Sequence, residues 1–203
     1  MPVIDKIPDA FATDPKVKVA WSEFSAVVGE ALAKLAAKPV QSPLPILTLA
    51  GEPIGTVDIA DVTFKLSNIT WSLAVGGVGN GGVGEMKSTF SKPGQMKSWK
   101  RGEAQVQVDG LLGYSLWHAK GFHYLVLHET AHVTRLGLDT WNNGWAAFLR
   151  TGQPQAKYNA SPQWHWNEQV ANQIAKVVGD WIGFDEIPSP TEGFPSSFQR
   201  THV

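Results

Sequence analysis

The residues of this 203-residue chain best suited to chemistry are His128-Glu129-Thr130-Ala131-His132. The run around them, Phe122 to Arg135, is mostly apolar and holds neither Pro nor Gly, so it predicts a helix. Histidines at i and i+4 of a helix differ by ~40° in direction and ~6 Å in height, so both imidazoles leave one face and can close on one metal ion. Glu129 lies ~100° round from His128, poorly placed as a third ligand but able to reach a water on that ion as general base. The chain has no cysteine, which excludes disulfides and thiolate sites and leaves imidazole and carboxylate to hold any transition metal.

A tetrahedral site with one open position needs a third protein ligand. Glu168 is the leading candidate. Its segment, from about Gln163 to Ile182, carries Trp164, Glu168, Ala171, Ile174, Ala175, Val178 and Ile182 at helical spacing, as a second buried helix would. Asp139, beyond Gly137, and His165, one turn before Glu168, are the other candidates. Asn172 shares a face with Glu168 at i, i+4 and could orient a metal-bound histidine. His123 is ~140° from His128 and off the metal face. His118 precedes the helix and His202 lies near the end of the sequence.

The pair of motifs, His128-Glu129-xx-His132 followed by Glu168-xx-Ala171-Asn172, resembles the gluzincin branch of zinc metallopeptidases. In that family the first motif supplies two histidine ligands and the catalytic glutamate, and a following helix supplies a glutamate ligand in an ExxA[D/N] pattern. The Asn-ending form is most similar to the short bacterial peptidases that cleave phage repressors and stress regulators. The resemblance covers about residues 104–183. It implies Zn2+ as cofactor, a protein or peptide substrate, and a zincin-like fold in which a strand before the HExxH helix pairs with extended substrate; Ala104–Val108 fits that place. It also implies a Tyr or His that holds the developing oxyanion, and Tyr158 and His165 are the nearest candidates. The metzincin pattern HExxHxxGxxH is not met, since Arg135 and Leu138 stand where its Gly and third His belong. The expected reaction is hydrolysis of a peptide bond by metal-activated water, with Glu129 taking the proton and passing it to the leaving amine.

The elements that must position these residues are partly readable. Asp14-Pro15 marks a helix start, followed by apolar residues at helical spacing from Val17 to Leu35 and a stop near Lys38-Pro39. Ile46–Leu49 and Thr56–Ile59 flank Gly51-Glu52-Pro53, a hairpin signature. Val62, Phe64 and Leu66 alternate, as do Ile69, Trp71, Leu73 and Val75, predicting two more strands; Ala104–Val108 predicts another. Gly77, Gly79 and Gly82 match GxGxxG, but no helix is predicted after them to hold a pyrophosphate, so Asn80-Gly81 reads as a hairpin tip instead. Gly137 predicts a C-cap for the HExxH helix, and a short helix is predicted around Trp145–Arg150. The fold class is α+β: an N-terminal helix, a small, mostly antiparallel twisted sheet, then the HExxH helix and the glutamate-bearing helix. One domain over 1–203 is expected, with 1–14 and 184–203 extended or flexible.

Composition narrows the function classes. Lys+Arg is 17 and Asp+Glu 18, a balance that argues against broad capture of nucleic acid or anionic membrane. Lys87, Lys92, Lys97, Lys100 and Arg101 form the one basic cluster, read as a solvated loop face. No apolar run approaches the ~20 residues of a membrane helix. The first residues lead into no apolar region, so a Sec signal peptide is expected to be absent or removed, leaving cytoplasm or leaderless secretion open. Oligomeric state is not readable. Two other functions fit the same residues: a zinc amidase acting on cell wall or a small molecule, and a non-catalytic, metal-braced structural module of phage or secreted origin. Six of nine tryptophans fall within 117–181, and Trp141, Trp145, Trp164 and Trp166 predict an aromatic-lined groove beside the metal.

Overall fold

The computed structural model describes residues 2–38, 43–74, 84–88, 104–109 and 119–184. Helix α1 (Pro15–Ala37) starts where the sequence predicts: the Asp14 carboxylate accepts from the amides of Lys16 (2.9 Å) and Val17 (3.2 Å), and Pro15 occupies the first turn. Its inner stripe, including Trp21, Phe24, Val28 and Leu35, is buried. Strands β2 (Leu44–Leu47) and β3 (Pro53–Val57) form the expected antiparallel hairpin, turned through Gly51 at φ 83°.

The next segment corrects the sequence reading. Residues 62–66 are not a strand but part of helix α2 (Ile59–Ser67), capped by the Asp58 carboxylate on the Ala60 amide (2.8 Å). Val62 and Leu66 are four apart, a spacing that fits both periods. Phe64, which a half-buried strand would also bury, is 45% exposed, while Ile59, one turn before Val62, is buried.

Strands β1 (Val3–Ile4), β4 (Ile69–Ala74), β5 (Gly84–Ser88) and β6 (Ala104–Asp109) make one sheet in the order β1-β4-β6-β5. Its pairings are mixed rather than mostly antiparallel: β1–β4 and β4–β6 are parallel, and β5–β6 is antiparallel. Parallel pairs need long crossovers, and strand alternation carries no record of which distant strand lies alongside. β6 is paired on both sides, so Ala104–Val108 is not a free edge; among the described residues β1 and β5 are the edge strands, and β5 packs against the HExxH helix. The GxGxxG glycines, the Asn80-Gly81 tip, Lys92, Lys97, Lys100, Arg101, Trp99, Trp117, His118 and His202 lie outside the described residues.

Helices α3 (Ala119–Val133), α4 (Arg135–Leu149) and α5 (Pro162–Ile182) complete the fold. α3 is central, packed by α5 and α1, with Phe122 edge-on to Phe24 at 5.8 Å between ring centroids. Gly137 is not its C-cap. Thr134 is the sole residue between α3 and α4: its hydroxyl donates to the Ala131 carbonyl (2.7 Å) and accepts from the Gly137 amide (3.2 Å). Gly137 therefore lies in the first turn of α4, so close that a β-carbon there would stand 2.0 Å from the Ala131 oxygen. The Asp61 carboxylate of α2 accepts from the Arg135 amide at 2.7 Å and fixes the same corner. α4 is longer than the short helix predicted around 145–150. α5 matches its predicted span, with Ser161 capping Trp164 (3.2 Å) and Gly183 ending it at φ 74°. Among the described residues no helix is long and apolar enough to cross a membrane.

Candidate metal centre

α3 carries His128 and His132 one turn apart, and α5 packs along it with Glu168 facing them. His128 Nε2 lies 3.2 Å from His132 Nε2 and 3.2 Å from Glu168 Oε2, and His132 Nε2 lies 3.5 Å from Glu168 Oε1. Ligands about 2.0–2.1 Å from a tetrahedral zinc ion stand about 3.3–3.4 Å apart, close to each of these contacts, with Glu168 meeting the two histidines through different carboxylate oxygens. His128, His132 and Glu168 can hold a metal ion, and among the described residues they are the one such group. The two imidazoles are nearly enclosed, with 8% and 11% of their side-chain surface exposed; the Glu168 side chain, at 28%, marks the open side.

The electrostatics suit a cation. Burial would raise the Glu168 carboxyl, but His132 and His128 hold it down at about 2. Burial lowers the His132 imidazole to about 4, Glu168 opposing and His128 assisting. Burial also disfavours the charged form of His128, yet the hydrogen bond and charge of Glu168, with Glu129 and Asn172, raise it above the ordinary value. An ionised Glu168 and a neutral His132 are the states a metal requires of its ligands, whereas His128 must give up its proton as a metal binds.

The other predicted residues are placed as follows. Glu129 is buried beside His128, and its charge acts on both His128 and Tyr124. Asn172 is buried on α5, where its carboxamide oxygen accepts from the Tyr124 hydroxyl (2.5 Å). That hydroxyl lies 3.3 Å from His128 Nδ1. Tyr124 was not singled out by the motif, although its position one turn before His128, on the same face, was available as a signal. Burial, then the charges of Glu168 and Glu129, push its phenol far above the ordinary range, so it stays protonated.

Asp139 and His165 do not join the donor group. Asp139 is exposed and lines a groove with Thr48, Glu52 and Trp166. His165 is exposed on the turn before Glu168, close enough for its charge to act on that carboxyl. Tyr158 is buried, accepting from the Asn167 amide at 2.6 Å and packed edge-on to Trp141, Trp145 and Phe148. Burial pushes its phenol up to about 12, with Asn167 opposing and Glu168 adding. The four tryptophans do not line one groove. Trp145 is buried in this aromatic cluster, Trp141 and Trp164 pack partly buried against it, and Trp166 turns to the groove with Asp139. His123, as its angle predicts, points elsewhere: it stacks on Phe184 (3.9 Å between centroids) and faces Glu30 at 3.5 Å.

No protein-family model, curated protein or solved structure matches this chain, so the geometry of the centre carries its functional reading.

Proposed function

We propose that the chain is a zinc-dependent endopeptidase that hydrolyses peptide bonds by activating water. The observation that carries the reading is the convergence of His128 Nε2, His132 Nε2 and a Glu168 carboxylate oxygen, with buried Glu129 on the same turn of α3. Two imidazoles and one carboxylate are the ligand set of a catalytic zinc site that keeps one position open, whereas a structural site is closed by four protein ligands.

When bound, zinc supplies Lewis acidity, lowering the pKa of a coordinated water from 15.7 toward about 7 and polarising a carbonyl. Glu129 takes the proton from the attacking water and returns it to the departing amine. His165, exposed on the Glu168 side, is the better placed of the two candidate oxyanion donors; Tyr158 already engages Asn167 and is walled in by aromatic rings. An extended substrate would pair with the edge strand β5, which packs on α3.

Metal content and proteolysis of Glu129→Gln test this. Wild type and variant should each hold one zinc ion, and hydrolysis of an unfolded protein such as casein should fall by about 10²–10⁴-fold in the variant. A wild-type protein that takes up no zinc when supplied with it overturns the reading. Zinc uptake with Glu129→Gln silent against every substrate would select the metal-braced structural module instead.

A further inference from the structure

We infer that Tyr124 is a positioning residue of the metal centre: its hydroxyl, set between His128 Nδ1 and the Asn172 carboxamide, determines which imidazole nitrogen of His128 faces the metal. The inference rests on the metal-centre reading and goes beyond its motif residues.

The argument is a count of protons. A phenol has one proton to donate and lone pairs to accept with. Asn172 Oδ1 is only an acceptor, and it lies 2.5 Å from the Tyr124 oxygen. Tyr124 therefore gives its proton to Asn172. Its oxygen can then meet His128 Nδ1, 3.3 Å away, only by accepting, so Nδ1 must carry a hydrogen. The lone pair of the neutral imidazole is left on Nε2, the atom that converges with His132 Nε2 and Glu168.

Packing holds the relay in register. Tyr124, His128 and His132 succeed one another at i, i+4 and i+8 along α3, and the Tyr124 and His128 rings lie 5.1 Å apart at 29°. Asn172 reaches them from α5, one turn beyond Glu168. One pair of helix faces thus supplies both the donor atoms and the group that orients one of them. Rotating the Asn172 amide by half a turn would reverse the relay: its N–H₂ would donate to Tyr124, which would donate to Nδ1, and Nε2 would be blocked by a proton.

The test is ¹⁵N NMR of the histidine side chains together with zinc affinity. In zinc-loaded wild type, His128 should show a metal-bound Nε2 and a protonated Nδ1. Tyr124→Phe and Asn172→Leu should each weaken zinc binding by about 10–100-fold, the double variant no more than either alone, and Asn172→Asp, which keeps the acceptor, should stay near wild type. A packing role alone would lower the melting temperature of the metal-free variants without producing this non-additivity or changing the imidazole resonances. Metal-bound Nδ1, or a Tyr124→Phe protein with unchanged zinc affinity and imidazole spectrum, overturns the inference. If wild type takes up no zinc, the centre fails as a metal site and the inference falls with it; zinc bound equally by wild type and Tyr124→Phe fails the inference alone.

Discussion

Glu168 stays ionised although it is partly buried, and this sets how the metal-free protein answers acid. Its carboxyl titrates at about 2 when folded against 4.5 ordinarily, so the stability it contributes is complete above pH 4.5 and disappears as pH falls to about 2. His132 acts in the same direction at higher pH. Between 6.5 and about 4 the unfolded chain takes up a proton that the buried imidazole declines. His128, raised, works the other way as protonation favours its folded form. Melting temperature followed by circular dichroism should therefore decline from pH 6.5 downward, and Glu168→Gln should flatten the part below 4.5. A Glu168→Gln curve parallel to wild type would show that the carboxylate is not held by the histidines. At this scale the HExxH residues were legible because one helix fixes their spacing. The choice among Glu168, Asp139 and His165 was not fixed by spacing within one helix; it depends on which face α5 turns to α3. The same holds for Tyr124: its i−4 position is local, but its partner Asn172 is reached only through that packing.

Among the elements, both long helices that were predicted carry their own start signals, Asp14-Pro15 and Ser161-Pro162. The errors fell where a local pattern had two solutions. The Val62/Leu66 spacing suits strand and helix alike, and Gly137 can end one helix or begin the next. A glycine comparison tests that second corner. Gly137→Ala would press a methyl group to 2.0 Å from a carbonyl oxygen and should cost upward of ~2 kcal/mol in chemical unfolding. Gly29→Ala, on the exposed side of α1 with open space around it, should instead stabilise by ~0.5–1 kcal/mol. Equal effects at the two positions would contradict the tight α3–α4 junction.

For the whole molecule, the α+β class was legible from the order of elements, whereas the parallel pairings of β4 with β1 and β6 were not, because each joins residues far apart in the chain. The centre spans helices that are also separated in sequence, so a bound ion ties α3 to α5. At a hundredfold excess over its dissociation constant, zinc should add about 2.7 kcal/mol, which for a chain of this size raises the melting temperature by roughly 5–10 °C. Slower amide exchange should accompany this along α3 and α5, with chelator reversing both. Exchange unchanged in α5 would separate metal uptake from helix clamping. The single-residue corner at Thr134 has a mechanical consequence. With one hydroxyl closing α3 and opening α4, and Asp61 gripping the next amide, the corner has no slack to bend. α3 and α4 behave as one stiff, bent lever, with the histidines just before its elbow and the Trp145–Phe148 cluster along its outer arm. Among the described residues, the place left for a hinge beside the centre is then on the α5 side, in the exposed stretch 151–157 that joins the lever to Glu168.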